Sequence, residues 1–131
     1  MPATPEAFSG DNKHALFYQG VDAAGHLGTF TTMPTAGGAG RVLSTGQSVV
    51  DGDWELAGTK VVFNDHWVAA TATVPEHVAL EVVDVSGTAV PTKLVASADP
   101  YFWVTSDNAA VVYTSNDTAA PGPGLYTVPL P

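Results

Sequence analysis

Thirteen acidic residues, four histidines and no cysteine bound the chemistry open to this 131-residue chain. Without cysteine there is no disulfide, no thiolate metal site and no thiol nucleophile. His14, His26, His66 and His77 form no pair at i, i+4 or i, i+2, so neither a helix face nor a strand face presents two imidazoles together. A zinc site would have to assemble from separate loops, with Asp65 or Asp22 as the carboxylate, and the expectation is instead scattered turn histidines with no metal or cofactor. Asn64-Asp65-His66-Trp67 is the densest polar cluster and falls where a strand ends. It reads either as a ligand-contacting loop with Trp67 as a stacking platform, or as an ordinary turn with one aromatic ring packed on a neighbour. Asp51 and Asp53 flank Gly52 but lack the further acidic ligands of a calcium loop. No Gly-x-Ser-x-Gly elbow is present, and Gly37-Gly38-Ala39-Gly40 leads into no helix that would cradle a phosphate. These absences make a non-enzymatic role the expectation.

Whatever this chain binds must tolerate its charge. A formal net charge of −9 and a pI near 4.4 set nucleic acid and anionic membranes against it. Charged residues make up only 13% and hydrophobic ones 45%, enough apolar surface to drive folding. The longest apolar runs are about five residues where a membrane-spanning helix needs about twenty. The opening Met1-Pro-Ala-Thr-Pro-Glu lacks the basic and apolar regions of a signal peptide, so an exported protein would have to be a processed or excised form. The compartment stays open.

The elements that must position these residues read as strands. Thirteen glycines and ten prolines leave only Thr59 to Val74 and Tyr101 to Ala120 longer than a dozen residues without either. Both windows are rich in Val, Thr and aromatics, which fit a pleated surface better than a helix. Apolar residues run consecutively in Ala15-Leu16-Phe17-Tyr18, Val61-Val62-Phe63 and Ala109-Ala110-Val111-Val112-Tyr113. Such runs predict strands covered on both faces, hence stacked sheets.

Three segments align without a gap: Phe8 to Phe17, Trp54 to Phe63 and Val104 to Tyr113. Each has a bulky residue, a polar turn and a short strand ending in an aromatic, so Phe8, Phe17, Trp54, Phe63, Val104 and Tyr113 are the expected core positions. A third strand follows each (Leu27 to Met33, Val78 to Val85, Gly124 to Leu130), and a fourth follows the first two (Gly40 to Gly46, Thr92 to Ala98). One domain of three units results, at about residues 7–46, 50–98 and 100–131, the third lacking its last strand.

Four short antiparallel strands per unit at this period is the pattern of β-propeller blades. The chain resembles the TolB-like (WD40-like) family of propeller repeats. Trp54, Gly58 and Phe63 match in the second unit, Asp11, Lys13 and Phe17 in the first, and Asp107, Tyr113 and Leu125 to Leu130 in the third. The resemblance implies an all-β fold of about three blades, with the aromatic before each turn wedged between neighbours. Three blades do not close a ring, which leaves three expectations: a C2 pair forming six blades, a piece of a longer propeller, or a β-trefoil. The functional expectation is a scaffold that self-assembles, most simply as a homodimer, or binds a protein partner. The alternatives are a carbohydrate-binding lectin and an accessory propeller of a larger hydrolase.

Overall fold

A computed structural model of the chain describes residues 7–118 and 122–131; the opening segment read above for a signal peptide, and residues 119–121 of the third unit, lie outside them. Every regular element among the described residues is a strand. The strands are β1 (Ala7–Phe8), β2 (His14–Gln19), β3 (Leu27–Pro34), β4 (Arg41–Val42), β5 (Ser48–Val49), β6 (Trp54–Ala57), β7 (Lys60–Val68), β8 (His77–Asp84), β9 (Thr92–Ala98), β10 (Phe102–Val104), β11 (Ala110–Ser115) and β12 (Gly124–Pro129). They form three open antiparallel sheets in chain order: β1-β2-β3-β4 with β5 also on β3, then β6-β7-β8-β9, then β10-β11-β12. Each sheet is a meander of neighbours along the chain, as short turns between antiparallel strands favour. The β-trefoil expectation is corrected here, because the sheets stay separate and open where a trefoil would close a barrel.

Period-two alternation sends the side chains of the middle sheet into two different cores. On one side Val61, Phe63 and Val83 meet Leu16, Tyr18, Phe30 and Leu43 of the first sheet. On the other, Val62, Val78, Leu80 and Val82 meet Phe102 and Val111 of the third. Burying a ring such as Phe63 or Phe102 in full contributes about 1.5–3 kcal/mol. The consecutive apolar run of β7 therefore has both faces covered. In β11 the same kind of run is buried on one face at Val111 and only half-buried at Val112 on the other, whereas in β2 Leu16 and Tyr18 on one face and Phe17 on the other are all buried.

Hairpin tips account for the repeat alignment and for its one error. In the first and third sheets the turn is a duplicate. Ser9 and Thr105 donate their hydroxyls to Asp11 and Asp107, each at 2.6 Å. Those carboxylates accept the backbone N–H of Lys13 and Ala109, each at 3.1 Å. Asn12 and Asn108 take φ of 59° and 58°, a left-handed conformation that Asn tolerates better than most residues. The middle hairpin is shorter: Ala57 pairs directly with Lys60 around Gly58 and Thr59. Trp54 therefore stands opposite Phe63 as Phe102 stands opposite Tyr113. The gapless alignment, which matched Trp54 with Phe8 and Val104, is corrected by that difference in turn length. Phe8 is 49% exposed and Val104 half-buried, while Phe102, which the alignment passed over, is fully buried. Of the other expected core positions Phe17 and Phe63 are buried, and Trp54 and Tyr113 are half-buried.

Candidate functional site

Two irregular stretches of backbone face one another between the first and second sheets. The fourth strand of the first sheet is broken: β4 pairs with Thr31 and Thr32, and β5 with Leu27 and Gly28. In the break the Ser44 hydroxyl accepts the Phe30 N–H at 2.7 Å, replacing a ladder bond, and the chain swings out to Thr45. In the second sheet the register of β7 on β8 slips between Asp65 and Val68, and His66 takes a positive φ of 54°. A bulge of this kind re-aims a side chain that strict alternation would send the other way.

The result is a small polar site. Asp65 shares the face of Val61 and Phe63 and is almost wholly buried. Its carboxylate accepts the Thr45 N–H at 2.9 Å and the Thr45 hydroxyl at 2.7 Å. Glu81, directly across from Phe63 on β8, brings its carboxylate to 3.2 Å from His66 Nε2. The same nitrogen lies 3.7 Å from Asp65 Oδ2. Burial, then the charge of Asp65, push the Glu81 carboxyl above its ordinary value, and His66 and Lys93 oppose that shift. Lys93 is the cross-strand partner of Glu81 on β9 and is exposed. Two carboxylates thus share one imidazole whose outer part is open to solvent.

The four residues singled out in the sequence belong to β7 itself, not to a loop beyond it, and they point to different tasks. Asn64 is fully buried and works as structure. Its side chain accepts the Val49 N–H at 2.6 Å and donates to the Val49 and Asp53 carbonyls, fixing the link between the first two sheets. Trp67 donates its indole N–H to Glu76 at 2.9 Å, and its ring meets the edge of His26 at 5.3 Å. Asp65 and His66 come together with Glu81, a residue that sequence reasoning did not connect to them. The signal was present only as an acidic residue inside an otherwise apolar strand, His77-Val-Ala-Leu-Glu-Val-Val-Asp84. The Asp51 and Asp53 pair is divided: Asp51 lies 3.8 Å from His26, and Asp53 accepts the Phe102 N–H at 3.3 Å.

A shallower groove of about 320 Å³ opens beside Pro75, Glu76, Asp99, Tyr101 and Asn116. Asp99 is engaged there by the Thr114 hydroxyl at 2.6 Å and by Asn116. Comparison of the chain with protein-family models, curated proteins and solved structures returned no match.

Proposed function

We propose that the chain is a non-catalytic assembly module whose three sheets are successive blades of a β-propeller, closing on a second copy of itself. The observation that carries this reading is the pair of open end faces. On the first sheet the exposed Phe8 and Met33 stand in one cross-strand row with Ala15, and the exposed Val42 ends the next row beside Phe17 and Thr31, which are already buried. On the third sheet Trp103, Val112 and Thr127 form a row, with Leu125 beside Thr114. Val42 is 57% exposed, Trp103 53% and Leu125 67%. Apolar rows of this kind, on sheets whose opposite faces already pack against a neighbour, favour one more sheet on each side. The resemblance to TolB-like repeats supports the same arrangement. A two-fold pair setting the third sheet of each copy on the first sheet of the other covers all four open faces at once and closes a ring of six.

Light scattering after size exclusion tests the reading. The expected species has twice the 13.5 kDa chain mass. It becomes more populated as salt screens the −9 charge on each copy. Trp103→Glu and Val42→Glu, on opposite ends, should each return the chain to monomer with its fold intact by circular dichroism. A well-folded monomer at every concentration and salt would remove the assembly reading.

A further inference from the structure

We propose that Asp65, His66 and Glu81 hold one divalent transition-metal cation of the zinc type, independently of whether the chain assembles. A carboxylate or imidazole ligand lies about 2.0–2.2 Å from zinc, so two ligands of one tetrahedral ion stand about 3.3–3.6 Å apart. His66 Nε2 is 3.2 Å from Glu81 Oε1 and 3.7 Å from Asp65 Oδ2, and the ligand atoms of all three lie within 4.8 Å of one another. Small side-chain adjustments bring them onto three corners of a tetrahedron. The His66 side chain is 45% exposed, so a fourth ligand such as water could reach the ion from solvent.

Charge points the same way. Asp65 and Glu81 are both more than nine-tenths buried as residues, and one imidazole cannot neutralise two ionised carboxylates even when protonated. The further cation that acts on Glu81, its cross-strand partner Lys93, is exposed. A dication balances the pair fully, with His66 neutral and ligating. One nitrogen and two oxygens match the borderline preference of zinc, whereas calcium takes six to eight oxygens and this cluster offers few. Thr45 is the positioning residue: through its N–H and hydroxyl it fixes the Asp65 carboxylate, the kind of support that ligating carboxylates need.

The test uses the full chain after chelator treatment, titrated with zinc chloride by calorimetry and, separately, with cobalt(II) followed by visible absorption. One equivalent should bind, the cobalt form should show the intense bands of a tetrahedral ion, and zinc should raise the urea midpoint. His66→Asn keeps a residue that tolerates positive φ, so the fold survives while the nitrogen ligand is lost. It should weaken zinc by more than about tenfold, and Glu81→Gln likewise. Thr45→Val should weaken it about tenfold with the cobalt spectrum preserved. His14→Ala, on the first hairpin, should leave affinity unchanged. No binding by the folded wild type, equal affinity in His66→Asn and Glu81→Gln, or a preference for calcium over zinc would each overturn the assignment. The chain's mass, monomeric or dimeric, decides the assembly reading separately.

Discussion

The seam between the first and second sheets and the seam between the second and third are built by the same strands and differ in kind. The first is aromatic: Tyr18, Phe30, Phe63 and Trp54 lie within 5.7 Å of a neighbouring ring centroid, and two buried carboxylates stand at its edge. The second is mainly aliphatic around Phe102, and the carboxylates at its margin, Asp53 on the Phe102 N–H and Asp99 on the Thr114 hydroxyl, are less buried than Asp65 and Glu81. Alternation along β7 produces the difference, since Val61, Phe63 and Asp65 point one way while Val62 points the other. A continuous neighbouring strand would leave no room for acids. The broken fourth strand of the first sheet supplies Thr45 instead, and its bonds make burial of Asp65 tolerable. The cluster of Asp65, His66 and Glu81 therefore sits where the broken fourth strand of the first sheet meets the slipped β7–β8 pairing of the second.

The largest effect expected is on the cores themselves. Phe63→Ala and Phe102→Ala should each cost about 3–5 kcal/mol in a urea melt, and the half-buried Trp54→Ala should cost less. A loss for Trp54 exceeding that for Phe102 would break the structural equivalence of the two positions. Next comes Asn64→Ala, which leaves the buried Val49 N–H without its acceptor and should cost about 1–3 kcal/mol.

A smaller effect separates the seams by pH. In metal-free protein the Glu81 carboxyl titrates above its ordinary 4.5. Its contribution to stability is fully present below that value and is lost as pH rises through the higher folded value. Glu81→Gln should therefore become more stable relative to wild type between pH 4 and pH 7, and a constant difference across that range would remove the strained carboxylate pair. The smallest effect concerns the twin turns. Hydrogen bonds from Ser9 and Thr105, then from backbone N–H groups, hold Asp11 and Asp107 below the ordinary 3.8. The stability they contribute is present above that value and lost as pH falls through the lower folded values. Asp11→Asn and Asp107→Asn should remove similar parts of the acid-side slope. Unequal losses would show that the tip of the first sheet, where the Gly10 N–H reaches the Gly58 carbonyl at 3.2 Å, carries a constraint the third lacks. Gly10 is required there, because a Cβ would come within 2.6 Å of that carbonyl.

Much of the strand plan was legible because it rests on local physics. Runs such as Val61-Val62-Phe63 favour pleated backbone, and Ser9-Gly10-Asp11-Asn12 and Thr105-Ser106-Asp107-Asn108 close turns with their own side chains. The middle hairpin was misaligned because Ala57-Gly58-Thr59-Lys60 turns in two residues, a choice that letter matching across ten positions does not register. The segment Gly40 to Gly46 reads as one strand because Leu43 and Ser44 look no different from strand residues, whereas the strand stops at Val42 and pairing resumes only at Ser48. Ser44 imitates a backbone acceptor only once Phe30 lies beside it.

By itself the sequence determined an all-β chain, without thiols and with a strong negative charge. Alternation, turn chemistry and composition act over a few residues at a time, and those residues are all that they need. The tertiary structure alone decided that Glu81 meets Asp65 and His66, that Thr45 reaches them, and that Phe8 lies open while Phe102 is buried. Each of those outcomes depends on strand register, on one slipped pair in β7 and on which sheet has a neighbour. Contacts between segments far apart in the chain set these features, so no local pattern encodes them.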